Sequence, residues 1–177
     1  MSDFPWYIQL ENGDESLAQG DLIFNCPVII PPSEIEEDQE LEVEVELFDI
    51  VVLTQTCDLD NSKITQVQVC PFFNLDDLEF IKNSANKREE RSKKEKVRQG
   101  NLSGYHLLNS NNDIGLENFL IVDFRNTYAI HKSFLQQFVK NQEKRIRLLP
   151  PYREHLAQSF ARYFMRVGLP VDIPSFR

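Results

Sequence analysis

The chain has 177 residues, of which 41% are hydrophobic and 13 are phenylalanine, a composition that supports a packed core and excludes a fully disordered protein. No apolar run approaches the ~18 residues that span a bilayer, and the acidic N-terminus lacks the features of a signal peptide. Cys26, Cys57 and Cys70 are odd in number and widely spaced, which indicates reduced thiols. We therefore expect one cytoplasmic domain over residues 1–177, without a membrane partner.

Charge is distributed unevenly along the chain. The formal net charge is −9, and residues 1–60 carry 16 acidic residues without a single Lys or Arg. Such asymmetry indicates that the acidic half pairs with the basic half, or that the two halves present different faces to partners. The alternative interpretation is that the acidic side chains are simply solvated.

The first half of the chain is rich in strand signals. Gly20-Asp21 opens the second predicted strand and Pro31-Pro32 stops it. The polar residues 56–62 predict a turn, and Pro71 predicts the end of a strand. The predicted strands are Trp6–Ile8, Leu22–Ile30, Leu41–Leu47, Ile50–Leu53 and Val67–Cys70.

Two of these strands differ in their apolar pattern. Between residues 41 and 47, Leu and Val alternate with glutamates, which predicts a strand whose apolar side chains share one buried face. Residues 50–53 are apolar without alternation, which is typical of a central strand buried on both faces.

The composition changes after residue 74. The run from Lys87 to Arg98 is almost wholly charged, which is typical of a solvated helix extending from a domain or of a mobile loop. Residues 74–103 are therefore interpreted as a charged helical insertion or lid. Short strands follow at 105–108, 119–124 and 127–130. Residues 131–169 are predicted to form C-terminal helices, the last with Pro151 in its first turn and Gly168 at its end.

These elements predict an α+β fold. Closing several short strands into a small barrel hides their edges, and one or two helices then cover the open side. We expect a small SH3-like β-barrel with C-terminal helices and a charged helical insertion.

Five short motifs, in chain order, resemble the PemK/MazF toxin family. The resemblance implies an SH3-like barrel, endoribonuclease activity and a homodimer. It covers most of the chain, although each motif is individually weak. The motifs are Gly20-Asp21-Leu22, Ile50–Thr54, Val67–Pro71, Gly115-Leu116 with the segment 119–135, and Arg147–Leu169.

The chain departs from the family at its usual catalytic positions. Family enzymes have Arg-Pro at the entry to the second strand, where this chain has Phe48-Asp49, and Thr or Ser after the third strand, where it has Phe72-Phe73. The family arginine stabilises charge that develops on the phosphate, whereas an aspartate repels it. No Lys or Arg precedes Lys63, so a small shift of the alignment cannot supply the arginine.

Three other residues are the catalytic candidates. Cys57 would be the nucleophile, His106 its base, and Asp58 the group that orients the imidazole. The alternative, which we favour, is a small thiol at a turn with Asp58 capping backbone N–H groups. Cys57, Cys70 and His106 lack the spacing of a metal site, so we expect neither a metal nor another cofactor.

Basic residues in the second half are the candidates for contacts with RNA phosphates. The alternative is a solvated charged surface, because no aromatic residue is interleaved among Lys87–Arg98 to stack bases. The acidic segment 34–46 is interpreted as a polyanion mimic that lies across an ancestral RNA groove. The candidate nucleic-acid-binding residues are Lys93, Lys94, Arg98, Arg162 and Arg166.

Two functions are compatible with these features. The first is a diverged PemK/MazF-like protein of a toxin–antitoxin or phage-defence setting, which acts on RNA or binds it. The second is a noncatalytic interaction or regulatory module on the same fold, with an acidic N-terminal face and an antitoxin-like or regulatory protein partner. Loss of both usual catalytic residues favours the second function, and the family resemblance favours the first.

Overall fold

The computed structural model describes residues 4–34, 43–61 and 64–165, and this part of the chain forms a mixed α+β structure. Its strands are β1 (Tyr7–Leu10), β2 (Asp21–Ile30), β3 (Glu44–Val52), β4 (Gln66–Asn74), β5 (Tyr105–Leu108), β6 (Leu120–Asp123), β7 (Tyr128–His131) and β8 (Arg145–Leu148). Its helices are α1 (Thr56–Asp60), α2 (Glu79–Lys82), α3 (Lys87–Arg98), α4 (Lys132–Lys140) and α5 (Tyr152–Phe164). None of the helices described is long and apolar enough to cross a membrane.

The eight strands form one antiparallel sheet, which confirms the predicted α+β class. The strand order is β1-β8-β2-β3-β4-β6-β5, and β7 pairs with β4. Within the described residues the end strands β1 and β5 do not pair with each other, so the sheet is not closed there. The predicted short strands after residue 104 are confirmed by β5, β6 and β7.

Strand β4 exchanges its partners at Pro71. Residues 69–71 pair with β3 and residues 66–69 pair with β7, whereas Phe72–Asn74 pair with β6. The prediction that Pro71 ends the strand is therefore wrong. Proline lacks a backbone N–H, so it suits a position where the ladder with β3 stops although the chain stays extended.

Strand β3 is one strand where two were predicted. Ile50–Val52 are fully buried, as expected for a central strand. In contrast, Val43, Val45 and Leu47 are 50%, 56% and 65% exposed, so the prediction that they share a buried face is wrong. The reason is that, before Asp49, β3 pairs only with β2 in the described structure. In this two-stranded arm Val45 and Leu47 share the face of the exposed Ile29, whereas Cys26 and Val28 turn the opposite face to the core. Leu41 lies outside the described residues.

The junction between the N-terminal loop and β2 depends on two residues. Gly20 has φ +85°, and a Cβ at this position would lie 2.9 Å from the Cβ of Leu148. Asp21 is fully buried and forms ion pairs with Arg145 and Arg147 of β8. The motif Gly20-Asp21-Leu22, which resembles the PemK/MazF family, therefore has a structural role, because it joins β2 to β8.

Helix α3 is held against the rest of the protein. The Asn86 side chain accepts a hydrogen bond from the Glu89 N–H (3.0 Å), and Glu89 in turn accepts one from the Ala85 N–H (2.9 Å), which caps the helix. Val97 is buried in a cluster with Leu78 and other apolar residues. The prediction of a helix is confirmed, but α3 does not extend freely from the domain.

Residues 56–60 form helix α1, whereas a turn was predicted over 56–62. Leu59 is the reason, because its side chain is buried beneath an otherwise polar segment. The ammonium group of Lys132 donates a hydrogen bond to the Leu59 carbonyl and fixes the helix to the start of α4. Residues 62–63 lie outside the described residues.

The predicted C-terminal helices are present as α4 and α5. Leu135 and Val139 are the buried residues of α4, and Tyr152 and Leu156 are those of α5. Strand β8, which lies between the two helices, was not predicted. Residues 166–169 of the predicted C-terminal region lie outside the described residues.

Candidate functional site

A groove of about 620 Å³ opens where β3 and β4 part. The ladder between the two strands runs from Val52 and Val69 to Ile50 and Pro71. Beyond it, Leu47–Asp49 of β3 and Phe72–Asn74 of β4 both line the groove. The site therefore results directly from the change of partner at Pro71, and we call it the β3–β4 groove.

Aromatic rings form much of the wall of the β3–β4 groove. Phe24, Phe48, Phe73 and Tyr128 are half-buried there, so they present part of each ring to the groove. Phe48 and Tyr128 are stacked, with ring centroids 5.5 Å apart. Such rings offer apolar area and a negative face to a ligand.

A bulge in β2 brings an acidic side chain to the groove. Two residues of β2, Phe24 and Asn25, lie opposite Asp49, and Asn25 has φ +50°. The Asp49 carboxylate accepts a hydrogen bond from the Asn25 N–H (2.9 Å) and so fixes the bulge. Asp49 therefore supports the shape of the groove and also contributes negative charge to its wall.

The other charged groups of the lining are also acidic. Glu117 is exposed, and Asp77 forms an ion pair with Lys82 (3.0 Å), a contact that lowers the pKa of Asp77. Among the described residues that line the groove there is no Lys or Arg. The β3–β4 groove is consequently acidic and aromatic.

One cation of the chain already lies beside this aromatic wall. The Lys144 ammonium is 5.5 Å from the centroid of the Phe24 ring and donates a hydrogen bond to the Gly115 carbonyl (3.3 Å). Phe24 and Gly115 both line the groove. An ammonium group is thus compatible with this site, through a cation–π contact.

A second cavity, of about 330 Å³, lies between α3, β5 and α5. Arg98, His106, Ser159 and Arg162 line it. Burial lowers the pKa of His106 to about 4, and the charge of His155 contributes to the shift. The His106 imidazole is therefore neutral at pH 7, in a cavity that Arg98 and Arg162 also line.

No family model matches this chain, and no curated protein matches it in sequence. The PemK/MazF resemblance therefore stays a prediction from short motifs. The function has to be argued from the residues of the two cavities.

The structure does not bring the three catalytic candidates together. Cys57 and Asp58 lie exposed on α1, where the nearest polar partners of the thiol are Gln55 (3.7 Å) and Asp58 (3.9 Å). His106 lies on β5, where its ring stacks on Phe124 and faces the second cavity. Without a contact between thiol and imidazole, this arrangement does not form a nucleophile with its base.

The candidate RNA-binding residues have different surroundings. Lys93 pairs with Glu89, Lys94 with Glu90 and Asp76, and Arg98 with Glu95, which reduces the positive charge of α3. Arg162 is exposed and lines the second cavity. Arg166 lies outside the described residues, as do residues 35–42 of the acidic segment.

The groove residues were not recognised as one site from the sequence. Phe48-Asp49 and Phe72-Phe73 were singled out only as departures from a family pattern. Asn25, Glu117 and Tyr128 carried no signal, because they come from separate elements that only the sheet assembles. Across the described ranges, no three His, Cys, Asp or Glu residues converge as a metal-binding group.

Proposed function

We propose that this protein is a noncatalytic protein-interaction module, on a diverged PemK/MazF-like SH3-like barrel, in a toxin–antitoxin or phage-defence setting. The β3–β4 groove is its binding site. One observation carries the proposal. The groove is acidic at the positions where enzymes of the PemK/MazF family act on phosphate. The homodimer that the resemblance implies stays a prediction.

The lining of the groove supports a noncatalytic role. Phe48-Asp49 stands where the family has Arg-Pro, and Phe72-Phe73 stands where it has Thr or Ser, and all four residues line the groove. A phosphate placed there would meet the Asp49 carboxylate, and the described lining residues include no opposing Lys or Arg. Lys144, beside the groove, already donates to the Gly115 carbonyl and contacts the Phe24 ring. Such a site disfavours the negative charge of RNA and of its cleavage transition state.

The sheet supports the barrel part of the proposal. Strand β4 pairs with β3 up to Pro71 and with β6 from Phe72 onwards. Strand β2 carries a bulge at Phe24 and Asn25. Bulges bend strands and increase their twist, as the corners of small barrels require.

We expect the wild-type protein not to cleave a mixed-sequence RNA, with or without EDTA. The reason is that Cys57 and His106 have no contact and that no Lys or Arg is among the described residues that line the groove. The measurement is RNA fragment length on a denaturing gel after incubation with purified protein.

The control variants for this assay are Cys57→Ala and His106→Ala. Cleavage by the wild type that either variant abolishes would contradict the noncatalytic proposal. Cleavage that persists equally in both variants would indicate a contaminating nuclease.

RNA binding at the second cavity is the other candidate function. Arg98, Arg162 and the Ser159 hydroxyl line that cavity, and the described residues include no ion-pair partner for Arg162. Guanidinium groups are suitable ligands for phosphate.

If the second cavity binds RNA, Arg162→Gln should weaken binding about threefold to tenfold at 50 mM salt, as expected for the loss of one phosphate contact. The matched control is Arg88→Gln, because Arg88 is also exposed but does not line the cavity. Fluorescence anisotropy with a labelled single-stranded RNA measures both. Equal losses in the two variants would mean that RNA binding depends only on net charge.

A further inference from the structure

Among the described residues, strand β3 has an edge without a strand partner. Residues 44–48 pair with β2 on one side, whereas pairing with β4 on the other side begins only at Ile50. In the described part of the chain, the β4-facing edge of residues 44–48 therefore leaves backbone N–H and C=O groups for another strand. Unpaired edges of this kind accept extended segments from partner chains.

The side chains along this edge alternate in a regular way. Val45 and Leu47 are more than half exposed on one face of the arm, beside Ile29 of β2, which is 63% exposed. Glu44 and Glu46 are exposed on the opposite face. A strand added to this edge would meet apolar side chains on one face and carboxylates on the other.

Cross-strand pairing determines which segment fits this alternation. Opposite charges directly across a strand pair are favourable, as are paired apolar side chains, and like charges are unfavourable. The complementary strand therefore alternates Lys or Arg with apolar residues. Its basic residues lie across from Glu44 and Glu46, and its apolar residues lie across from Val45 and Leu47.

A second copy of this chain does not fit the same edge. Antiparallel pairing of two β3 edges places each glutamate across either from another glutamate or from an apolar side chain. The first arrangement is repulsive and the second leaves carboxylates without cationic partners. The edge is therefore suited to a different chain.

The β3–β4 groove continues this edge and suits the same ligand. Leu47 and Phe48 belong both to the edge of β3 and to the groove lining. A basic side chain that reaches the groove meets the stacked rings of Phe48 and Tyr128 and the carboxylate of Asp49. The contact of Lys144 with Phe24 shows the same chemistry within the chain.

We infer that the edge of β3 and the adjoining groove bind an extended partner segment in which Lys or Arg alternates with apolar residues, by strand addition. This inference rests on the proposed function, since it names the partner chemistry of that interaction module.

The test uses the full chain and two fluorescein-labelled peptides. The first peptide is Lys-Val-Lys-Leu-Lys-Val. The second, Lys-Lys-Lys-Val-Leu-Val, has the same composition and charge without the alternation. At 150 mM salt we expect saturable binding of the alternating peptide and markedly weaker binding of the block peptide, because only the first can match both faces of the strand.

Two variants with identical changes in net charge locate the binding site. Glu46→Lys should raise the Kd of the alternating peptide about tenfold, since it replaces an attractive cross-strand pair by a repulsive one. Glu143→Lys should raise it at most about twofold, because Glu143 is exposed and does not line the groove or the edge. Hydrogen exchange should also slow at residues 44–48 when the alternating peptide binds.

Several results would overturn the inference. They are absence of peptide binding, equal affinity for both peptides, equal effects of Glu46→Lys and Glu143→Lys, and self-association through this edge in sedimentation. None of these outcomes involves RNA cleavage, so they leave the noncatalytic role standing. RNA cleavage that Cys57→Ala or His106→Ala abolishes would instead overturn the proposed function, independently of the peptide results.

Discussion

Replacing Asp21 by asparagine is expected to lower the free energy of unfolding by about 3–5 kcal/mol, the usual result when one partner of a buried ion pair is removed. Asp21 is fully buried, and the side chain of its ion-pair partner Arg145 is only 3% exposed. One carboxylate oxygen accepts hydrogen bonds from Arg145 (3.1 Å) and Arg147 (2.9 Å). Burial already lowers the pKa of Arg145, so this guanidinium depends on a nearby counter-charge.

The asparagine amide keeps the size of Asp21 but removes its negative charge. Arg145 would then be buried next to a neutral side chain, and its other acceptors in the described part of the chain are the carbonyl groups of Asp14 and Ser16. Urea unfolding at pH 7 measures the loss. A change of this size is a large fraction of the about 5–15 kcal/mol by which most domains are stable.

Asp14→Asn is the matched control for this experiment. Asp14 lies in the loop that precedes Asp21, is only partly buried, and accepts a hydrogen bond from the Ser16 N–H (2.7 Å). Its neutralisation should cost no more than about 1 kcal/mol, the usual value for one hydrogen bond. Equal losses in the two variants would contradict the proposed dependence of Arg145 on Asp21.

Local sequence signals predicted those elements whose environment is also local. The apolar run at residues 50–53 could be recognised as a buried strand because both faces of Ile50–Val52 are covered by neighbouring elements. The charged helix α3 was recognisable from its composition, and its cap comes from Asn86 and Glu89, which are close in sequence.

The wrong predictions concern residues whose environment is set by distant parts of the chain. Val45 and Leu47 show the alternation of a half-buried strand, yet which face is buried depends on how the arm packs. Val45 lies across from the exposed Ile29, whereas Val28, on the other face, is buried. Strand β8 was missed because its alternating arginines were assigned to the helical C-terminal region. One of these, Arg145, is buried in an ion pair with Asp21, which is distant in sequence.

The candidate site was harder to predict than the fold. Cys57, Asp58 and His106 were grouped because their side chains suit catalysis, but residue type carries no information about distance. The β3–β4 groove needs the bulge at Asn25, the departure of β4 and the loop with Glu117, and it appears only when the sheet is assembled.

The wild-type protein should lose about 2–3 kcal/mol more stability than the His106→Gln variant between pH 7.5 and pH 4.5. Burial, together with the charge of His155, lowers the pKa of His106 to about 4 in the folded protein. In an unfolded chain the pKa of histidine is about 6.5. As pH falls, the unfolded state therefore binds a proton first, and the equilibrium shifts towards unfolding.

The sign of this effect follows from the two pKa values. The stability contributed by neutral His106 is complete above about pH 6.5 and is lost as pH falls towards about 4. Urea unfolding of both proteins at the two pH values measures the difference. Carboxylates titrate in the wild type and in the variant alike, so subtraction isolates the contribution of His106.

A proton NMR titration of the His106 ring then distinguishes a structural histidine from a catalytic base. A general base that acts at neutral pH has a pKa near 7, whereas a ring with a pKa of about 4 accepts a proton only weakly. A titration midpoint below about 5, together with the expected stability difference, would support a buried structural role for His106. A midpoint near 6.5 with parallel stability profiles would contradict that role. It would also give His106 the pKa of a candidate base, although its ring would still lack a contact with the Cys57 thiol.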